Sequence, residues 1–315
     1  MTMLVTGGAG FLGTRLIQRL LAGTAQVQAA TRVICVDQVA SPLADARVVS
    51  HVGSIADPGF VATAVEPDVT AIWHLAAVLS GQSDAEPDLA LTVNVGGTQA
   101  LLEACRRLAS PPRFVFASTI AVFGRPLPDV VPEDLALRPA STYGTTKAIA
   151  ELLVLEATRR GVVDGLACRV PTVSVRPGQP NSAMSSFVSG IVREPLAGVD
   201  SVCPVPLDTR LWVASPATTT ANLAHAGVVG PEALGPVRTL NLPGVTLTPA
   251  DLLDSLERAA GPTTRALVRL APDARISTVV GSWPGAFDVS RALALGFTID
   301  RDADALVAQY LAERV

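Results

Sequence analysis

Gly7-Gly8-Ala9-Gly10-Phe11-Leu12-Gly13 follows a short run, Met3–Thr6, and opens a segment in which Leu12, Leu16, Ile17, Leu20 and Leu21 recur at three- and four-residue spacings. That periodicity marks one buried face of a helix. The glycines at 7, 10 and 13 therefore occupy a turn from strand to helix. In such a turn Gly7 permits the tight bend, Gly10 lets the backbone approach a pyrophosphate, and Gly13 lets the helix lie close on the strand. The helix N-terminus offers unpaired N–H groups to phosphate oxygens. Taken alone, the stretch is also compatible with an ordinary strand-to-helix connection.

Working outward, Arg32–Val36 is a second strand, Thr70–Leu75 a third, Pro112–Ser118 a fourth and Leu166–Val170 a fifth. Helical patterns over Val93–Leu108 and from Tyr143 to about Arg160 lie between them. This alternation predicts βαβ units and a doubly wound parallel sheet. The near-continuous apolar strands fit a sheet covered on both faces. Gly124–Thr142, with Pro126, Pro128, Pro132 and Pro139, reads as one long loop, and loops of that length are usually functional or disordered. After Val175 the rhythm weakens. Residues 1–175 are expected to form a nucleotide-binding domain, with 218–245 returning to it through a strand at Val237–Asn241. Residues 176–217 and 246–315 are expected to form a smaller substrate-binding domain.

The composition limits what this fold can serve. The chain has 315 residues, enough to bury a sizeable core, and only 17% are charged, too few for a disordered chain or a coiled coil. A net charge of −4 argues against a nucleic-acid partner, which calls for a basic patch. No uninterrupted apolar stretch suits a membrane span and no basic leader precedes the first strand, so a cytoplasmic protein is expected. Cys35, Cys105, Cys168 and Cys203 form no CxxC pair and read as buried free thiols. With only His51, His74 and His225, far apart, no metal site is expected.

Asp37 ends the second strand, where a carboxylate can accept hydrogen bonds from the adenosine ribose and would repel a 2′-phosphate. The next residue is Gln38, not an arginine, so NAD is favoured over NADP. Tyr143-Gly144-Thr145-Thr146-Lys147 puts a phenol and an ammonium one helical turn apart on one face. A nearby ammonium stabilises a phenolate and makes tyrosine a usable base. The chain holds 23 arginines but one lysine, Lys147, and one of its two tyrosines stands four residues before it. Coincidence fits that poorly. Ser118 or Thr119, at the end of a strand, could hydrogen-bond a reacting oxygen. His74 reads as structural. Arg176, Arg193 and Arg210 could each bind an anion, although a solvated surface role is the plainer expectation for each.

In this order, GGAGFLG, Asp37, His74–Ala77 (HLAA), Asn94 in NVGGT, Ser118–Gly124 (STIAVFG) and YGTTK resemble the extended short-chain dehydrogenase/reductase family of NAD-dependent epimerases and dehydratases. The resemblance implies a Rossmann-type fold. It implies that Thr119, four residues before Phe123, is catalytic together with Tyr143 and Lys147. It also implies an NAD site formed by Gly7, Gly10, Phe11, Leu12, Asp37, Ser54, Ile55, Leu75, Ala76, Ala77, Asn94, Tyr143, Lys147 and Pro171. Phe123 stands where the family usually has tyrosine, and Ser54 where it often has aspartate. A finer similarity joins the stretches 74–82, 169–198, 203–216 and 282–288 to the D-erythronate dehydrogenase subfamily. It implies NAD-dependent oxidation of the C2 hydroxyl of a short sugar acid, with Ser80, Thr119, Tyr143, Arg176 and Arg210 at the substrate, and it allows a homodimer. An NDP-sugar epimerase, dehydratase or reductase on the same scaffold stays open. So does a non-catalytic NAD-sensing or scaffold protein, which an intact Thr119–Tyr143–Lys147 set argues against.

Overall fold

Twelve strands run through the computed structural model, which describes residues 1–180 and 183–313. They are β1 Thr2–Thr6, β2 Arg32–Asp37, β3 Val48–Val52, β4 Val69–His74, β5 Arg113–Thr119, β6 Asp164–Val170, β7 Thr172–Val173, β8 Ser201–Cys203, β9 Leu211–Ala214, β10 Thr239–Asn241, β11 Val245–Leu247 and β12 Val268–Leu270. Seven form the central sheet in the order β10-β6-β5-β4-β1-β2-β3, every neighbouring pair parallel. The strand order reverses between β1 and β4. In open α/β sheets the ligand crevice lies outside the C-terminal strand ends at that point.

The sheet is buried on both faces, which is why β1 reads as unbroken apolar sequence: Met3, Leu4 and Val5 are all buried. On one side the helices Phe11–Ala22 and Pro216–Ala226 cover Val5, Val33 and Trp73 with Leu16, Ile17, Leu20 and Leu223. On the other, Val61, Leu101 and Val154 pack on Leu4, Ile34, Ile72 and Phe114. A third apolar cluster is separate. It joins Val188 and Ile191 to Leu211, Leu253, Leu306 and Tyr310 beneath β9 and β11.

Three features differ from the sequence pattern. The sheet gains β3 at its edge, where Ser50 and Val52 are exposed and the strand pairs on one side only. A half-solvated edge strand carries little apolar signal. The helix expected over Val93–Leu108 begins instead as a π-helical turn, Leu91–Gly96, followed by the α-helix Gly97–Cys105. The loop after β5 is pinned at its middle, where Val131 N donates to Ala286 O at 3.0 Å and Asp288 N donates to Val131 O at 2.9 Å.

The last described segments tie back to the sheet. The buried carboxylate of Asp300 accepts from Ser215 N, the Ser215 hydroxyl and the Thr218 hydroxyl, each at 2.7 Å. Those groups form the N-terminus of the helix Pro216–Ala226. Among the described residues no helix is long and apolar enough to cross a membrane.

Candidate active site

The glycine turn is closed by contact. A Cβ on Gly13 would stand 2.0 Å from Gly7 O, and one on Gly7, whose φ is +69°, would stand 2.8 Å from Ala76 N. The turn thus lies flat against the segment that leaves β4. Gly10 caps the helix Phe11–Ala22 without a side chain, so that helix end is open to an anion. Asp37, at the C-terminal end of β2, accepts from Ala9 N at 3.0 Å and Gln38 N at 2.7 Å. Its carboxylate therefore holds the glycine turn and keeps lone pairs for a further donor.

A cavity of about 910 Å³ runs along this crevice. Gly7, Gly10, Phe11, Leu12, Asp37, Ser54, Ile55, Leu75, Ala76, Ala77, Tyr143, Lys147 and Pro171 all line it, as the resemblance implies for a dinucleotide site. Asn94 does not line it. It is buried, accepts from Val78 N at 2.7 Å and donates to Thr146 Oγ1 at 3.0 Å, tying the β4 loop to the helix Thr142–Arg159. Ser80, Thr119 and Arg176 line the cavity beyond Tyr143. Arg210 does not reach it: this side chain is exposed, on the segment entering β9, with Gly285 against its Cβ. Ser80 Oγ accepts from Met184 N at 3.0 Å, while Ser185 and Trp283 add further lining. Residues 181 and 182 lie outside the described residues.

The helix carrying the tyrosine and lysine begins where Ser141 Oγ accepts from Gly144 N at 3.1 Å. The Thr119 hydroxyl stands beside the Tyr143 phenol and acts on its proton affinity. Lys147 is 2% exposed, its Nζ lies 4.2 Å from the Phe116 ring centroid, and it makes no hydrogen bond to any described residue. An ammonium so placed is a donor awaiting an acceptor in the cavity, as a cofactor ribose would be.

The electrostatics depart from the expectation that Lys147 draws the tyrosine down. Burial pushes the Tyr143 phenol up to about 12, and the Thr119 hydroxyl pulls it partly back. Burial pushes Lys147 down to about 7, opposed by the charge of Glu151. In the protein alone burial works against charge on both groups, and the two do not form an ion pair with each other.

His74 is structural, as its position at a strand end suggests. It is held between Thr6 Oγ1 at 2.7 Å and Thr98 Oγ1 at 2.9 Å. Thr98 donates its own proton to Asn94 O, so it accepts from His74 Nε2–H, and Nδ1 accepts from Thr6. Burial drives this imidazole down to about 3, with the Lys147 charge adding to the effect.

Sequence reasoning missed Glu151, which is wholly buried and paired with Arg169 at 3.0 Å. A signal was available, since Glu151 follows Lys147 by the same four residues that separate Lys147 from Tyr143. Among the described residues no group of three His, Cys, Asp or Glu side chains could hold a metal ion.

A parallel sheet with this strand order, a glycine cradle beside Asp37 and a Thr–Tyr–Lys set in one crevice define a dinucleotide-dependent enzyme fold. The chain belongs to the NAD dependent epimerase/dehydratase family, whose model matches residues 3–208. It is 46% identical to a D-erythronate dehydrogenase of Cupriavidus necator, over 99% of this chain and 98% of that protein. It is 39% identical to a D-erythronate dehydrogenase of Haemophilus influenzae, over 99% of each. Among solved structures, one described as a nucleoside-diphosphate-sugar epimerase from Agrobacterium tumefaciens matches with a TM-score of 0.93 and 36% identity, covering 99% of this chain and 94% of that one. An L-threonine 3-dehydrogenase from Trypanosoma brucei matches with a TM-score of 0.88 and 28% identity, covering 99% and 96%.

Proposed function

We propose that this chain is an NAD-dependent dehydrogenase that oxidises the C2 hydroxyl of a short sugar acid, D-erythronate foremost, to the 2-oxo acid. The observation that carries this is one continuous cavity. It joins the glycine cradle and Asp37 to Thr119, Tyr143 and Lys147, and continues to Arg176. The two D-erythronate dehydrogenases similar over nearly their whole length support the choice of substrate.

The residues present fit NAD. The uncapped helix start at Gly10 suits the pyrophosphate, the free lone pairs of Asp37 suit the adenosine ribose, and the unmatched Lys147 ammonium suits the second ribose. Oxidised NAD supplies a hydride acceptor there, and a positive charge that favours a phenolate. Thr119 and Tyr143 bind the C2 hydroxyl, and the Tyr143 oxygen takes its proton. Lys147 orients the cofactor side of the site and supports the phenolate. Arg176 faces the substrate carboxylate, since a buried anion needs a cationic or hydrogen-bonding partner. Residues 1–175 and 218–245 serve the cofactor, and 176–217 with 246–315 serve the substrate. Four buried free thiols suit a reducing cytoplasmic compartment.

The similarity to a structure described as a nucleoside-diphosphate-sugar epimerase supports a second reading, action on sugar nucleotides. One screen separates the two. NADH production is followed over four-carbon sugar acids, and epimerisation over NDP-sugars. Turnover of D-erythronate with NAD is expected. Epimerisation of an NDP-sugar with no oxidation of any sugar acid refutes the dehydrogenase assignment.

A further inference from the structure

Glu151 lies one helical turn beyond Lys147 and is fully buried. Tyr143, Lys147 and Glu151 thus form a row along one face of the helix Thr142–Arg159. The Glu151 carboxylate accepts from Arg169 Nη2 at 3.0 Å and Nε at 3.1 Å, and from the Ser118 hydroxyl. Arg169 is fixed in turn. Its Nη1 donates to Glu133 O at 2.8 Å and its guanidinium lies 4.8 Å from the Phe123 ring centroid. A buried ion pair of this kind is costly to desolvate, and apolar replacements are often as stable. Stability alone therefore does not explain why it adjoins the one lysine of the chain.

Few charged or titratable groups surround that lysine. β4 brings His74, kept neutral by burial. β5 brings the Phe116 ring. β6 brings Arg169 and Cys168, whose thiol burial pushes up to about 12. Its own helix brings Tyr143, a neutral phenol near pH 7, and Glu151. In this set of described residues Glu151 is the one anion, and its charge opposes the effect of burial on Lys147.

We propose that Glu151 is a positioning residue that keeps Lys147 in its ammonium form, and that Arg169 sets the strength of this effect by sharing the carboxylate. The proposal rests on the reading of Tyr143 and Lys147 as the catalytic pair. It adds the group that governs whether the lysine carries its charge.

Because Lys147 is the only lysine in the sequence, lysine labelled with carbon-13 at Cε gives one resonance that reports its charge directly. In Glu151→Gln the titration midpoint is expected to fall by about one pH unit or more. The value of kcat/KM near neutral pH should then fall roughly fivefold through the smaller ammonium fraction. Arg169→Gln leaves the carboxylate unshared and should move the midpoint up. Glu156→Gln, exposed on the same helix, should leave it unmoved. Loss of a merely structural tie would lower stability in both buried variants without producing opposite shifts. An unmoved midpoint in Glu151→Gln, or shifts of the same sign in both, overturns the proposal. If Glu151→Gln does not fold, Arg169→Gln decides: an unmoved or lowered midpoint overturns it. The titration needs no substrate. A chain showing both shifts but oxidising no sugar acid would retire the catalytic reading while leaving the control of Lys147 by Glu151 in place.

Discussion

Replacing Lys147 with methionine should make the protein more stable near neutral pH while abolishing turnover. Lys147 is 2% exposed, and burial lowers it from 10.5 to about 7. At about 1.4 kcal/mol for each tenfold change in proton affinity, that fall amounts to roughly 5 kcal/mol against the charged form. The sign follows from linkage. The folded-state pKa lies below the unfolded one, so the penalty is complete below about 7 and fades as pH rises toward 10.5. Methionine has similar volume and no charge to desolvate. It forfeits the ammonium contact with the Phe116 ring, worth about 1–2 kcal/mol in a desolvated site. A net gain of about 3–4 kcal/mol near neutral pH is expected, disappearing by about pH 10. Equilibrium urea unfolding of both proteins at each pH measures the difference, and NADH production measures the loss of activity. A methionine variant less stable than the wild type near neutral pH refutes the reasoning. So does a gain of equal size at both pH values, because the lysine would then not be paying a desolvation cost in the folded state.

Three further outcomes follow from the same geometry. Thr119→Val removes the hydroxyl that opposes the effect of burial on the Tyr143 phenol, so the rising limb of the pH–rate profile should move to higher pH. The accompanying loss in kcat near neutral pH should be about tenfold or more. Arg176→Ala should raise KM for a sugar acid about tenfold, the size of a lost charged hydrogen bond, with little change in kcat. Arg210→Ala, altering an exposed side chain outside the cavity, should leave KM unchanged, and steady-state kinetics on both variants checks the pair. The wild type should prefer NAD to NADP, and Asp37→Asn should narrow that preference by removing the charge that repels a 2′-phosphate. The ratio of kcat/KM values for the two cofactors reports it.

Features encoded by neighbours in sequence were legible before the fold was known. The glycine turn, Asp37 at a strand end and Tyr143 four residues before Lys147 depend on local spacing, and the structure brings all of them to one crevice. Features that depend on which way a side chain leaves the backbone were not. Arg176 and Arg210 both fall in the proline-punctuated region after Val175 and look alike as candidates, yet one lines the cavity and the other is exposed. The resemblance put Asn94 in the NAD site, whereas it lies off the cavity lining with Val78 and Thr146, partners that come together only through tertiary packing. Glu151 and Arg169 lie 18 residues apart on different elements, so their pairing could not be seen along the chain. The direction in which Tyr143 and Lys147 are pushed was likewise hidden, because it follows from how deeply the fold buries them rather than from which residues are present.

The clamp at Asp300 also bears on how the chain is born. The helix that starts at Pro216 covers one face of the sheet, and its N-terminal donors are matched by a carboxylate 85 residues further along. At 5–20 residues per second, a ribosome needs on the order of ten seconds to deliver that carboxylate after the helix has emerged. During that interval β1 to β6 are already outside, while the Ser215 end of the helix lacks its partner and Trp283 has not yet reached the cavity. The nascent protein can therefore form the glycine turn and most of the central sheet before Trp283 and Asp300 exist. A chain stalled before Asp300 would carry β1 to β6 while the helix that covers them still lacked the partner of its N-terminal donors.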